Sequence, residues 1–276
     1  MTPDAKRKRD DECIDDRISN LPRHLIDNIL DRMLICDAAR TSILSKTWKN
    51  IWETYPNILL VEQSMNQFIS SMNNKEAVKL QYLRVVNLIL LGHVGPILTF
   101  FLSIPAYSYL GDTPYFCLWI KQLAEKGVKV LDLRNQHPSR SSNMPSYFFS
   151  CSDLTSLFLD NWKLNPPNKF RGFRNLTKIT LWCVIFKTNM SFGTQVQKFR
   201  LLFCSRIEHL DIQLTNHGRN IRYLNIGRDV KMEKRYALDY NPFTDIKKSF
   251  NLRRRAGFLA ICLALKLLKS MPSASR

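Results

Sequence analysis

The sequence predicts an α/β chain of two parts: a short helical segment near the N-terminus and, behind it, a solenoid of repeated leucine-rich coils built on a parallel sheet. Three observations predict it. Apolar residues between positions 21 and 55 recur at the 3.6-residue period of a helix. Further on, the pattern L-x-x-L-x-L followed by Asn or Cys recurs, with 26 and then 22 residues between its clear copies. Hydrophobic residues make up 45% of the 276 positions and aromatics 11%, enough for a sizeable folded core.

Residues 1–16, MTPDAKRKRDDECIDD, lack the apolar run of a signal peptide and read as a disordered tail of mixed charge. The Lys6-Arg7-Lys8-Arg9 run suits a nuclear-import signal and a solvated tail equally. The formal net charge is +18, but residues 1–60 hold ten Lys/Arg against ten Asp/Glu. The excess therefore lies in 61–276, and eight basic residues and no acidic one follow Asp245. Such a distribution attracts polyanions without specifying any sequence of bases.

Residues 17–60 read as helices. Asn20 suits a helix cap and Pro22 a first turn, where its missing N–H costs nothing. Ile26, Ile29, Leu30 and Met33 then fall at i, i+3, i+4 and i+7 on one face. Asp37 is placed to cap a second helix, DAARTSILSKTW, and Leu44, Trp48, Ile51, Trp52 and Tyr55 continue an apolar stripe until Pro56. Two or three helices in about 40 residues cannot bury all these faces by themselves. The segment is expected to dock on something else, with a core mostly separate from that of the body.

Within 61–127, Ala77 to Leu91 is expected to form the first strand of the body and Pro96 to Leu102 a helix. Trp119, Ile120 and Leu123 lie on one side of a second helix that Gly127 terminates. The coils follow. Leu131 and Leu133 precede Asn135, Leu157 and Leu159 precede Asn161, and Ile179 and Leu181 precede Cys183. Alternate residues of an x-L-x-L strand point inward, the polar residue after it bonds turn backbone, and each coil buries its leucines against its neighbours. About three coils are needed, and two fainter copies, Ile207–Ile212 and Ile221–Ile226, extend the three clear ones to a domain of 61–228. The faint copies stand only 14 residues apart, too close for two full coils.

The stretch from Leu21 to Leu60 resembles the F-box motif. Leu21, Pro22, Ile29, Leu30, Asp37, Arg40, Ser45, Trp48 and Trp52 stand at matching positions, while Met33 replaces the usual Leu and Leu34 the second Pro. Met for Leu conserves volume. The order of HVGPILTF, WIKQLAEKGVKVLDL, MPSYFFSCSDLTSLFL and NPPNKFRGFRNLTKITL over residues 17–190 is similar to plant F-box proteins with leucine-rich repeats, which often end in an FBD domain. The resemblance implies that 17–60 binds a Skp-type adaptor, and through it a cullin, using the nine matched residues. It implies also that the repeat body selects an unknown protein for ubiquitination.

The end, 229–276, does not resemble an FBD domain. Its Arg253–Arg255 cluster and the apolar run after it leave three readings: a cap on the solenoid, a basic amphipathic helix, or an atypical gene-model end. Gly257 to Leu265 is too short to span a bilayer, so no membrane is expected.

Reaction chemistry has no signature. The seven cysteines form no C-x-x-C and the five histidines no metal-ligand spacing, so neither metal nor cofactor is expected. An odd cysteine count without a signal segment predicts reduced thiols inside the cell, in nucleus or cytoplasm. No phosphate loop, dinucleotide fingerprint or G-x-S-x-G occurs, so a non-enzymatic substrate receptor is expected. The alternative, motivated by the +18 charge, is a basic leucine-rich scaffold that binds RNA or another polyanion.

Overall fold

The computed structural model describes residues 21–62, 64, 74–106, 110, 113–137, 141–188, 190–193, 195–204, 210–211 and 223–227. The Asn20 cap, the Lys6–Arg9 run, most of the Ile207–Ile212 copy and the end from 229 lie outside the described residues.

The chain opens on helix α1, Arg23–Leu30, whose Ile26 and Leu30 turn inward one helical turn apart. Pro22 sits at its cap, and the Pro22 carbonyl accepts from the backbone N–H groups of Leu25 (2.9 Å) and Ile26 (3.2 Å). Helix α2, Ile35–Arg40, begins two residues before the expected start. Asp37 is thus not its cap but a first-turn residue, where the helix dipole favours a carboxylate and Arg40 bonds it at 2.9 Å. The second helix also does not run on to Trp48. A 3-10 turn, Thr41–Ile43, ends it, and α3, Lys46–Glu53, starts afresh where the Ser45 hydroxyl accepts from the Trp48 N–H at 3.2 Å.

Strand β1, Asn57–Leu60, follows, then α4, Lys75–Gly92; β2, Thr99–Ile104; α5, Pro114–Glu125; and β3, Val130–Asn135. Here the structure reverses two expectations. Residues 77–91 form a helix, not a strand. Val78, Tyr82, Val85, Val86 and Leu90 are buried at helical spacing, and Asn74 accepts from the Glu76 N–H at 2.9 Å to cap the first turn. Leu80, Leu88 and Leu91 on the opposite, exposed face made the run look apolar throughout. Residues 99–104 form a strand, not a helix, with Phe100, Leu102 and Ile104 buried at period two. Helix α5 ends as read, at Gly127 with φ 71°.

The remaining main strands are β5, Ser156–Asp160; β7, Lys178–Trp182; β10, Lys198–Leu202; and β12, Tyr223–Gly227. They build one parallel sheet in the order β1-β2-β3-β5-β7-β10-β12. Register aligns Leu60, Leu102, Leu133, Leu159, Leu181, Leu201 and Ile226 in one column. A second column runs Ile58, Phe100, Leu131, Leu157, Ile179, Phe199 and Leu224. Short strands β4, Ser142–Asn143; β6, Trp162–Leu164; and β8, Ile185–Phe186 pair in a second parallel layer, and β9, Met190–Ser191, pairs with β11, Leu210–Asp211. This resolves the crowding of the faint copies. The later copy supplies β12 of the main sheet, whereas Leu210 belongs to β11, a short strand that follows β10 within the coil before it, so the earlier copy is no main strand of its own.

A coil centred on Leu201 escaped the sequence reading, because Phe203 stands where Asn161 and Cys183 stand in the coils before it. The coils also shorten along the chain. Helices back the first two; a 3-10 turn, Ser146–Ser150, replaces the helix in the next, and Phe148, Phe149, Phe170 and Phe173 fill that side in edge contacts with centroids 5.0–5.3 Å apart.

The two parts do not keep separate cores. Ile26, Leu30, Ala38, Trp48, Ile51 and Tyr55 make a small core, but Ile35 and Cys36 of α2 join the core under the sheet, and Trp52 packs on both. Backbone bonds tie the seam. The Glu53 carbonyl accepts from Val94 (2.7 Å) and Gly95 (3.2 Å), and the Pro56 carbonyl from Leu98 (2.9 Å) and Thr99 (3.0 Å). A Cβ on Gly95 would stand 2.9 Å from the Thr54 backbone, so the closeness requires glycine.

Candidate functional site

Two surfaces stand out. On the helical segment, Leu21, Leu25, Asn28, Ile29 and Arg32 line an open groove, with Pro22 exposed beside it. Ile43 and Leu44, in and just after the 3-10 turn, are 84% and 59% exposed, although large aliphatic side chains are ordinarily withdrawn from water. Leu30 and Trp48 are not on this surface. Both are buried among Ile26, Ala38, Ile51 and Tyr55, because the small core of three short helices needs its largest side chains inside. Their part is to hold the helices in place. Ser45 serves as the α3 cap, Asp37 and Arg40 form an exposed ion pair, and Trp52 lies in the seam. The Tyr55 hydroxyl donates to Asp31, which also accepts from the Asn57 amide at 3.3 Å; burial and that carboxylate push the phenol far above its usual pKa.

The second surface is the outward face of the sheet. The core columns leave every intervening residue pointing away from them. Arg134 lies between two rings, 4.8 Å from the Phe101 centroid and 4.7 Å from that of Phe158. Its guanidinium grips both carboxylate oxygens of Asp132, at 3.0 and 2.9 Å. Burial raises the Asp132 carboxyl to about 6, and Arg134 and Lys178 hold it from rising further. Gln136 adds a bond to the Ser103 hydroxyl at 2.9 Å. Beyond this closed cluster, β7 presents Lys178 and Trp182 on either side of a buried Thr180, and β10 presents Lys198, Arg200 and Leu202. Sequence reasoning attended to the inward leucines and passed over these positions; the x residues of each x-L-x-L stretch were the signal.

The repeat-core residues Leu131, Leu133, Leu157, Leu159, Ile179 and Leu181 are all buried in the two columns. Asn135 and Asn161 bond across coils. The Asn135 amide donates to the Asn161 carbonyl at 3.3 Å, and the Asn161 amide to the carbonyls of Asn135 (3.1 Å) and His137 (2.7 Å). Burial pushes the thiols of Cys36, Cys151 and Cys204 up, to about 11, 12 and 12, which suppresses the reactive thiolate. Among the described residues no group of three or more His, Cys, Asp or Glu side chains could hold a metal ion. No described helix is long and apolar enough to cross a membrane.

Comparison with known proteins fits this architecture. The profile of the F-box domain matches residues 18–59. The profile described as "FBD-associated F-box protein At5g56370, LRR repeats" matches residues 117–224. Among curated relatives from Arabidopsis thaliana, F-box/FBD/LRR-repeat protein At1g13570 is 34% identical over 222 residues, 78% of this chain and 50% of the relative. Putative F-box protein At1g67390 is 30% identical over 66% of this chain and 38% of its own length. F-box/LRR-repeat protein 13 is 26% identical over 76% of this chain and 46% of its own. The chain thus spans about half the length of these three relatives, or less. No solved structure matches it.

Proposed function

The chain belongs to the F-box proteins with leucine-rich repeats, and from that premise we propose that it is the substrate-recognition subunit of an SCF-type cullin-RING ubiquitin ligase. A substrate-adaptor role is general to proteins of this kind. The finer reading is that residues 17–60 dock on a Skp-type adaptor while residues 61–228 hold the target protein, inside the cell in nucleus or cytoplasm. One observation supports it above the others: Leu21, Pro22, Leu25, Ile29, Ile43 and Leu44 leave apolar surface uncovered on a helical segment whose own core is already filled.

The mechanism needs no catalytic side chain on this chain. Docking at one end and target at the other keeps lysines of the target near a ubiquitin-charged enzyme, which raises their effective concentration. The seam suits that work, because backbone bonds from Glu53 and Pro56 to residues 94–99 fix the angle between the two surfaces.

Copurification of the full chain with a Skp-type adaptor tests the docking assignment. Leu21→Ala with Pro22→Ala should weaken capture about thirtyfold, the effect of losing about 2 kcal/mol from a buried anchor. Unchanged capture by that variant removes the assignment of the groove. Generic RNA binding without adaptor capture would favour the polyanion scaffold instead.

A further inference from the structure

We propose that Lys126 is the positioning residue that sets the angle between the docking helices and the repeat sheet, by locking residues 93–95 against the end of α3. That the angle serves delivery of a target rests on the reading of the chain as a substrate receptor. A lysine ammonium has three N–H donors, and three successive carbonyls accept from this one: His93 at 2.9 Å, Gly95 at 3.2 Å and Val94 at 3.4 Å. These carbonyls lie just past Gly92, the last residue of α4, where a helix leaves negative partial charge and favours a cation.

The same peptide groups face the docking helices. In a trans peptide the C=O and the N–H point opposite ways. The unit between 93 and 94 gives its carbonyl to Lys126 and its N–H, on Val94, to the Glu53 carbonyl at 2.7 Å. The unit between 94 and 95 repeats this, with the Gly95 N–H 3.2 Å from the same Glu53 oxygen. Each unit is therefore held from both sides, and the charge on one side polarises the bond on the other. Glu53 is the last residue of α3, so these bonds hold the end of a docking helix. The lysine is itself fixed. Its backbone N–H donates to the Gln122 carbonyl at 3.0 Å, and its own carbonyl accepts from the Ile97 N–H at 3.3 Å. His93 does not supply the charge, since burial and the neighbouring Lys126 both lower its pKa.

Residue-resolved hydrogen exchange on the full chain reads the lock. Single-molecule energy transfer between dyes on azido residues at the exposed positions 50 and 174 reads the angle. Lys126→Met should speed exchange at Val94 and Gly95 about tenfold or more and broaden the distance distribution. Lys126→Gln should move both readouts the same way, and it carries the test if the Met variant does not fold. The control Gln122→Met removes another bond between the same two helices, from the Gln122 amide to the Leu90 carbonyl at 2.8 Å, without touching the loop. It should change exchange at Val94 and Gly95 less than about twofold. Equal loss in the control, or faster exchange throughout β5 and β7, means general loosening and overturns the proposal, as does an unchanged distance distribution. Adaptor capture by Lys126→Met should stay within about twofold of the parent, because the groove of Leu21 and Ile29 is untouched. Capture lost in that variant alone makes Lys126 part of the docking surface and overturns the positioning role. A parent that shows the lock but never captures adaptor refutes the receptor reading and leaves the lock assigned.

Discussion

The residue after β5, β7 and β10 turns a corner in the left-handed region, where a Cβ costs about 1–2 kcal/mol. Asn161 (φ 64°), Cys183 (φ 51°) and Phe203 (φ 56°) all accept this. Asn161 recovers the cost through its amide bonds to Asn135 and His137, whereas Phe203 has a tilted contact with Trp182. Phe203→Asn should therefore stabilise the protein by about 1 kcal/mol, seen as a melting temperature a few degrees higher. A lower melting temperature would mean the ring contact outweighs the backbone. The Asn161 corner was legible in the sequence because its bonding shows as a polar residue after the strand. Phe203 was not, because the slot demands a conformation and not a polarity. A second residue-scale consequence concerns pH. Asp132 keeps its proton in the folded state up to about 6, while an unfolded aspartate, near 3.8, has already lost it. The folded state binds more protons in that window, so this group's contribution to stability falls as pH rises from about 4 to about 6 and is flat above. His93 acts with the opposite sign: burial lowers its pKa, so acidification through the ordinary value of 6.5 costs stability. Comparing Asp132→Asn with the parent isolates the first group. Denaturant unfolding at pH ~4.5 and ~6.5 should show the parent losing about 2 kcal/mol more than the variant between the two. Parallel behaviour of the two proteins would refute the raised carboxyl.

At the scale of elements, an apolar run is ambiguous until its length and its two faces are weighed. Residues 77–91 carry leucine on both faces, so the period was hidden. The 18-residue span of α4 exceeds what a strand of this sheet uses, and length was the better guide. The two assignments predict opposite outcomes for neighbours in one run. Tyr82 and Leu88 are both even-numbered, so a strand would place them on the same face. In the helix Tyr82 is fully buried and donates to the Ser103 carbonyl at 2.8 Å, while Leu88 is 62% exposed. Tyr82→Ala should cost about 3–5 kcal/mol and Leu88→Gln no more than about 0.5, measured by chemical denaturation. Similar costs for both would argue for a strand. The repeat strands themselves were legible, since Leu-x-Leu followed by a polar residue at a fixed interval has few other physical solutions. The coil at Leu201 departs from that pattern by using Phe199 in the core and Phe203 at the corner.

For the whole molecule, the sequence shows two compositions, a charge-balanced helical segment and a basic repeat body, and these invite a reading as independent modules. The sheet contradicts it. Strand β1 lies in the F-box stretch yet forms the first strand of the repeat sheet, and Ile58 and Leu60 head both core columns. Ile35 and Cys36 reach the same core from α2, and the Cys36 thiol donates to the Ser64 carbonyl at 3.1 Å. That tertiary placement has no local signature, since NILL reads equally as the end of a helical segment. A fragment of residues 61–276 would lose Ile35, Ile58 and Leu60 and uncover the Phe100 and Leu102 edge. At about 1.5–3 kcal/mol per buried aliphatic side chain the loss is about 5–9 kcal/mol, comparable to the whole stability of an ordinary domain. The fragment is therefore expected to melt far below the full chain and to be cut rapidly by protease. A fragment beginning at residue 34 keeps α2 and β1 and should be markedly sturdier, though it lacks the groove of Leu21 and Ile29 and should not capture adaptor. Thermal melts followed by circular dichroism, with limited proteolysis of all three, decide the matter. If 61–276 melts with the full chain, β1 contributes little and the segments are separable modules joined by a tether. If the graded loss appears, the docking surface and the sheet form one rigid body, so any target bound to the sheet is held at a fixed angle to whatever docks on the helices.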